Sequence, residues 1–241
     1  MIWFDLDDTL WAMTENSSEV LRGLHKDISI ISAAFPDNPE RWLDVYHTVN
    51  GELWTAYAAG DIDRDFLRRE RFARPLEIGG IAPEKAAEAA DMLDGVYLDR
   101  LGACSGMLPG AREFLERFAK ACPEKPGIIS NGFKEVQHRK MESAGIRGYF
   151  STVVLSDDAG VNKPDRRLFD YALKLTGTRA EDSVIVGDNP VTDIFGALRA
   201  GWARAIWYNP RETETPEILA PYTDRLTIVK DFDGMFEALT N

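Results

Sequence analysis

From Gly110 to the end of the chain, short apolar runs of β type alternate with amphipathic helical patterns, and this alternation limits the fold more than any other feature. The runs are "GIIS" at 127–130, "TVVLS" at 152–156, "SVIVG" at 183–187, "RAIWY" at 204–208 and "LTIV" at 226–229. Strands separated by helices in this way pair in parallel, with the helices as crossovers. A further apolar run at residues 1–4 has no partner near it in sequence, so it is expected to join the later sheet. Between them, from Ser17 to about Tyr97, the apolar positions keep helical spacing: Val20, Leu21, Leu24, Ile28 and Ile31, then Trp42, Val45, Tyr46, Val49, Leu53 and Tyr57. The chain therefore reads as α/β, a Rossmann-like three-layer core on a parallel sheet formed by residues 1–14 and 104–241, interrupted by an all-helical insert at 15–103. The small residues of "GACSGMLPG", 102–110, read as the return hinge.

Composition narrows the setting. A chain of 241 residues with a net charge of −12 lacks the clustered Lys and Arg that hold a phosphate backbone, so no nucleic-acid partner is expected. Cys104 and Cys122 are too few for a disulfide framework, and His25, His47 and His138 are scattered away from them, which argues against a Cys/His zinc site. No run approaches the roughly 20 apolar residues of a membrane span, and the N-terminus has no basic segment followed by a long apolar stretch, so a cytoplasmic location is expected. Oligomeric state is not legible; monomer and dimer both fit.

In parallel sheets of this kind ligands bind beyond the carboxyl ends of the strands. The polar residues that follow each run are consistent. Asp5, Asp7, Asp8 and Thr9 follow the first, Ser130 and Asn131 follow "GIIS", and Asp188 with Asp193 follow "SVIVG". Lys163 precedes Pro164 in "NKPD", where proline can occupy the first turn of a helix and leave the lysine at its mouth. Carboxylates crowded as in "DLDDT" repel one another unless a cation compensates. Asp5 and Asp188 offer hard oxygens to Mg²⁺, which prefers about six oxygen ligands, some of them water or substrate phosphate. Lys163, Ser130 and the amides of helix starts near 131 and 164 would hold phosphate oxygens. That set suits phosphoryl transfer, where catalysis is mainly positioning and charge neutralisation. Taken singly, each motif has a plainer reading, such as a turn, a helix cap or a solvated lysine; the ordered set is the signal.

That set resembles the haloacid dehalogenase-like hydrolases. "MIWFDLDDT" is similar to the family's first motif, "IISN" to its second, "NKPD" to its third and "VGDNPVTD" to its fourth, in the family's order and across the whole chain. The helical insert between the first two motifs resembles the family's first type of cap. The resemblance implies that Asp5 is the nucleophile that becomes an aspartyl phosphate, and that Asp7 is the general acid and then base. It implies further that Asp5, the Asp7 backbone carbonyl and Asp188 bind Mg²⁺. Ser130, Asn131 and Lys163 would bind the substrate phosphate, with Thr9 and Asp193 in support. Asp8 stands where many members have glycine; aspartate tolerates the left-handed backbone better than most residues.

Asp7 also bears on reaction type. A dehalogenase attacks carbon and its pattern lacks this aspartate, whereas a phosphatase needs a proton donor for the leaving alcohol. Relatives that cleave phosphonates use a cap lysine; here the insert has only Lys26 and Lys85, in no recognisable motif. The strings "DLDDTLWAMTEN", "NGELWTAYAAGDI", "RERF" and "SNGFKEVQHRKMESAGI" resemble the pyrimidine 5′-nucleotidase subgroup. This implies a small phosphate ester substrate, with Trp54 and Tyr57 lining its site. Phosphatases of sugar or other small metabolite phosphates are the alternative. A receiver-like phosphoacceptor module fits less well, because its acceptor follows a later strand and it needs no long insert, and the intact set of Asp5, Asp7, Ser130, Lys163 and Asp188 argues against a non-catalytic binding protein.

Overall fold

The structure, a computed structural model, describes residues 1–240 and divides into two compact units, Met1–Met13 with Ser105–Asn241, and Thr14–Cys104. Among the described residues the chain runs β1 (Ile2–Phe4), then helices α1 (Met13–Asp27), α2 (Ser29–Ala34), α3 (Pro39–Ala59), α4 (Arg64–Ile78) and α5 (Pro83–Ala103). It continues through α6 (Ala111–Ala121), β2 (Gly127–Ser130), α7 (Lys134–Ser143), β3 (Thr152–Leu155), α8 (Ser156–Ala159) and α9 (Arg166–Thr176). It closes with β4 (Val184–Gly187), α10 (Gly196–Arg199), β5 (Arg204–Tyr208), β6 (Leu226–Val229) and α11 (Phe232–Thr240). No described helix is long and apolar enough to cross a membrane.

The first unit is built on a six-stranded sheet of order β3-β2-β1-β4-β5-β6, parallel at every pairing. The N-terminal run finds its partners 120 and more residues away: Phe4 stands in register with Ile128 of β2 and with Val186 of β4. Strand order reverses on either side of β1, which makes its carboxyl end the crevice where such sheets bind ligands.

Successive strand residues face opposite sides, so β1 supplies both layers. Trp3 packs with Ile129, Val154, Phe169, Ile185 and Trp202, its ring 6.0 Å from that of Trp202. Phe4 faces the other way, meeting Phe114 and Phe118 of α6 at 5.8 and 6.0 Å, edge to face. Gly127 accommodates this arrangement, since a Cβ there would lie 2.5 Å from the Trp3 ring.

The second unit is helical throughout. Val20, Leu21, Leu24, Ile31, Trp42, Tyr46, Val49 and Leu53 of the expected stripe are buried, while Ile28, Val45 and Tyr57 are partly covered. Its centre is aromatic, with Tyr46 5.1 Å from Phe72 and 5.6 Å from Tyr97. Among these rings lies an ion pair. Asp94 accepts from Arg71, and from Arg68 Nε at 2.7 Å, with the Arg71 and Asp94 side chains each 3% exposed. The Arg71 guanidinium also sits 5.0 Å over the Tyr97 ring. Breaking such a pair strands a buried charge. Asp94→Ala is therefore expected to destabilise the helical unit by about 3–5 kcal/mol, read as the urea midpoint of its helical circular dichroism signal; an unmoved midpoint would show that Arg71 is compensated elsewhere.

Candidate active site

Asp5 follows β1 directly and is tied to the sheet by its own amide, which donates to Val186 O at 2.8 Å. The loop then folds back on itself. Leu10 and Trp11 amides both donate to Leu6 O, the Asp8 amide donates to Trp11 O at 2.8 Å, and Asp8 takes the left-handed conformation with φ of 55°. This is the backbone that the aspartate at 8 was expected to tolerate.

Four strand ends and the loops after them converge here. Lys163, buried at 2% exposure, puts Nζ 2.6 Å from Asp5 Oδ1, 2.6 Å from Asp193 Oδ1 and 2.9 Å from Ile129 O. Asn131 clamps the lysine backbone from both sides: Nδ2 donates to Lys163 O at 3.0 Å and Oδ1 accepts from Lys163 N at 2.6 Å. The Asn131 side chain is thus committed to holding the lysine loop. Thr9 lies fully buried between Asp5 and Asp188, donating to Asp188 Oδ1 at 3.2 Å and accepting from the Asp188 amide at 3.0 Å.

Asp193 is carried on a π-helical turn, Pro190–Phe195, capped by the Asn189 side chain. Its second oxygen accepts from the Asn189 amide at 3.1 Å. Gly187 leaves room for it, because a Cβ there would fall 2.4 Å from Asp193 Oδ2. Ser130, 2% exposed at the end of β2, accepts from the Gly132 amide at 3.2 Å and from Gln137 Nε2 at 2.9 Å. A hydroxyl has two lone pairs and one hydrogen. With both lone pairs taken, Ser130 has its hydrogen left to donate.

The carboxylates of Asp5, Asp188 and Asp193 lie within 4.8 Å of one another. Burial pushes the Asp5 carboxyl up to about 7, against the pull of Lys163 and with help from Asp193 and Asp7. Burial likewise holds Asp188 well above the usual carboxylate range, reinforced by Asp193, Asp5 and Asp8. Burial disfavours the Lys163 charge, but Asp193 and Asp5 outweigh it and keep the lysine above its ordinary value. Three carboxylates facing one ammonium leave two negative charges, and the donors are all hard oxygens. That set fits a divalent cation such as Mg²⁺, held by Asp5 and Asp188, with both Asp193 oxygens already engaged.

Two expectations need correction. The helix after β2 begins at Lys134 and not near 131, and its first amide is taken by Asp157 Oδ2 at 2.9 Å. Pro164 does not start a helix either: Asp165 caps α9 by accepting from the Arg167 amide at 2.8 Å, which leaves proline outside. One amide at each of these two helix starts is thus taken by an aspartate of the chain itself. Trp54 and Tyr57 belong to α3 of the helical unit, where their rings pack edge to face at 5.6 Å.

Sequence reasoning missed Gln137 and Lys140. Lys140 Nζ lies 2.8 and 3.1 Å from the two Asp7 oxygens, and Gln137 Nε2 donates to Asp7 Oδ2 at 2.8 Å. Both sit on the buried stripe of α7 beside Val136 and Met141. Two polar residues on an apolar stripe were the available signal.

A family model described as haloacid dehalogenase-like hydrolase matches residues 1–201. The chain is 35% identical over 221 residues to pyrimidine 5′-nucleotidase YjjG of Escherichia coli, covering 91% of this chain and 90% of that protein. It is 31% identical over 224 residues to a phosphoserine phosphatase of Thermus thermophilus, covering 86% and 87%. Among solved structures, the magnesium-bound HAD-hydrolase YfnB of Bacillus subtilis superposes with a TM-score of 0.83 at 24% identity, covering 100% of this chain and 98% of that one.

A ligand that binds only the folded state stabilises it, by about 2.7 kcal/mol at a hundred times its Kd. Mg²⁺ is therefore expected to raise the melting temperature relative to EDTA, and Asp188→Asn to lose most of that rise. A wild-type melting temperature indifferent to Mg²⁺ would remove the cation site.

Proposed function

The chain belongs to the haloacid dehalogenase-like hydrolases, and from that membership we propose that it is a Mg²⁺-dependent phosphomonoesterase working through an aspartyl phosphate on Asp5. The observation that carries this reading is the pairing of Asp5 with Lys163 at the sheet's switch point, with Asp188 opposite and a second, separately paired aspartate two residues on. Asp5 attacks phosphorus while the bond from phosphorus to the ester oxygen breaks, and Asp7 gives the departing oxygen its proton. Water then attacks phosphorus, passes its proton to Asp7, and phosphate leaves with Asp5 restored as a carboxylate. The Ser130 hydroxyl binds a phosphate oxygen, Lys163, whose three donors face Asp5, Asp193 and Ile129 O, supplies positive charge beside it, and Asn131 acts by fixing the lysine loop. Thr9 and Asp193 hold Asp188 and Lys163 in place.

The residues that would hold Mg²⁺ are Asp5, Asp188 and the backbone carbonyl of Asp7; when bound, the ion supplies charge neutralisation between the phosphate and the Asp5 carboxylate. Asp7 favours ester hydrolysis over dehalogenation, since a halide leaves without a proton. The helical unit, 15–103, is assigned the part of a cap that chooses the substrate. Relatives named as pyrimidine 5′-nucleotidases, YjjG and the 26% identical PynA of Streptococcus pneumoniae, support a pyrimidine nucleoside monophosphate as that substrate. Trp54 and Tyr57 are its candidate contacts.

Asp5→Asn replaces the nucleophile with an amide and is expected to abolish turnover of p-nitrophenyl phosphate within detection, with folding unchanged by circular dichroism. Wild-type-like turnover would remove Asp5 as the covalent residue.

Substrate class is tested separately. In a side-by-side panel with Mg²⁺, UMP, dUMP or dTMP should exceed purine monophosphates in kcat/KM by about tenfold or more, equivalent to about 1.4 kcal/mol of transition-state discrimination. If phosphoserine or a hexose or triose phosphate outcompetes every pyrimidine monophosphate, the nucleotidase reading fails while the phosphatase chemistry stands.

A further inference from the structure

Asp7 pairs with Lys140 and Gln137, and these residues belong to none of the four motifs. Lys140 is 3% exposed, yet its ammonium is fully occupied: two Asp7 oxygens on one side, the Trp11 ring 4.5 Å away on another, and Met13 Sδ at 3.6 Å. Trp11 and Asp7 are themselves bridged within the same loop, and Trp11 pairs with Met107. The buried lysine thus meets an anion, a ring face and a sulfur at its charged end.

Gln137, fully buried, spans two groups. Its Nε2 donates to Asp7 Oδ2 at 2.8 Å and to Ser130 Oγ at 2.9 Å, while its Oε1 is buried with no hydrogen-bond partner. A carboxylate accepts only, which fixes the amide with its nitrogen toward Asp7. A residue present merely to fill the α7 stripe would be apolar and would leave no orphaned acceptor. Gly132 yields its space to this side chain, as a Cβ there would stand 1.9 Å from Gln137 Nε2.

We propose that Lys140 and Gln137 are positioning residues for Asp7, fixing the direction of its carboxylate, with Gln137 linking that direction to the Ser130 hydroxyl. The proposal rests on the reading of Asp7 as the proton-exchanging group. Lys140 grips both carboxylate oxygens, and Gln137 sets the tilt through one of them. Orientation of this kind is worth much in rate, because a small misplacement of a proton donor slows its transfer while leaving binding intact.

The test is a double-mutant cycle on p-nitrophenyl phosphate with Mg²⁺, using K140M, K140R, Q137L, D7N and the D7N combinations with K140M and Q137L. K140M is expected to lower kcat about tenfold or more with KM within about threefold, since general acid–base catalysis contributes about 10²–10⁴. K140R, which keeps a cation with several donors, should recover most of the loss, and Q137L should fall between. In the D7N background, K140M and Q137L should cause no further loss in kcat, because residues acting through one group are not additive. Multiplicative losses there, or a K140M enzyme with wild-type kcat, would overturn the proposal. D7N with wild-type kcat would instead remove the proton-exchange reading of Asp7, and this proposal with it. If K140M does not fold, K140R and the Q137L arm of the cycle decide between the same outcomes.

Discussion

The Lys163 ammonium lies 2.6 Å from Asp5, 2.6 Å from Asp193 and 2.9 Å from the carbonyl of Ile129. Those partners come from the end of β1, the turn after β4 and the body of β2, so one buried charge joins the central strands of the sheet. Asp5 and Asp193 are buried, and desolvated carboxylates are costly without a charged partner. The surrounding details serve this contact. Asn131 clamps the lysine's backbone, the π-helical turn carries Asp193 under it, and Gly187 gives up its side chain so that Asp193 fits.

The same contact leaves the site unbalanced. Asp188 faces Asp5 across the Thr9 hydroxyl, and the three clustered carboxylates exceed the one lysine by two charges. Burial, with Asp193 and Asp7 adding to it against the pull of Lys163, raises the Asp5 carboxyl to about 7. If Asp5 is the nucleophile we propose, it must be ionised, and a divalent cation beside it would favour that form. Asp7 adds to the rise of Asp5 but is itself paired with Lys140, outside the cluster of three. Two aspartates two residues apart are thereby given different electrostatic surroundings, which is what two different chemical tasks require.

Much of this was legible in the sequence because period and order are local signals. The β-type runs at 127–130, 204–208 and 226–229 are strands with those bounds, and the orphan run at the N-terminus became the central strand. A strand buried on both faces reads as continuously apolar, as "IWF" does. The convergence of Asp5, Ser130, Asp188 and Asp193 followed from one rule about strand ends, whereas Lys163 was read from "NKPD". The helix starts were misplaced by two or three residues for a local reason: Asp157 and Asp165, remote or unremarkable in the sequence, satisfy the first amides and so decide where each helix begins. Gln137 and Lys140 were missed because a helix that follows a motif appears to need only its apolar stripe, and the partners they find are 130 and 133 residues away.

Those long-range partners also explain why glycine stands two residues after the strand-end serine. Ser130 accepts from the Gly132 amide, which holds the turn, and from Gln137, which can approach only because residue 132 has no Cβ. Both lone pairs being used, the Ser130 hydrogen has a defined remaining direction. The donor that fixes it is the same amide that bonds Asp7. A group suited to bind an anionic oxygen and a group suited to exchange a proton therefore share one hydrogen-bond partner, and neither can be reoriented without disturbing Gln137. Lys140 closes the arrangement from the next turn of the same helix, three residues on, where helical geometry places it on the same face. The motif segment positions the serine, and the helix behind it positions the aspartate delivered by β1, so α7 is as much a part of the site as the strands are.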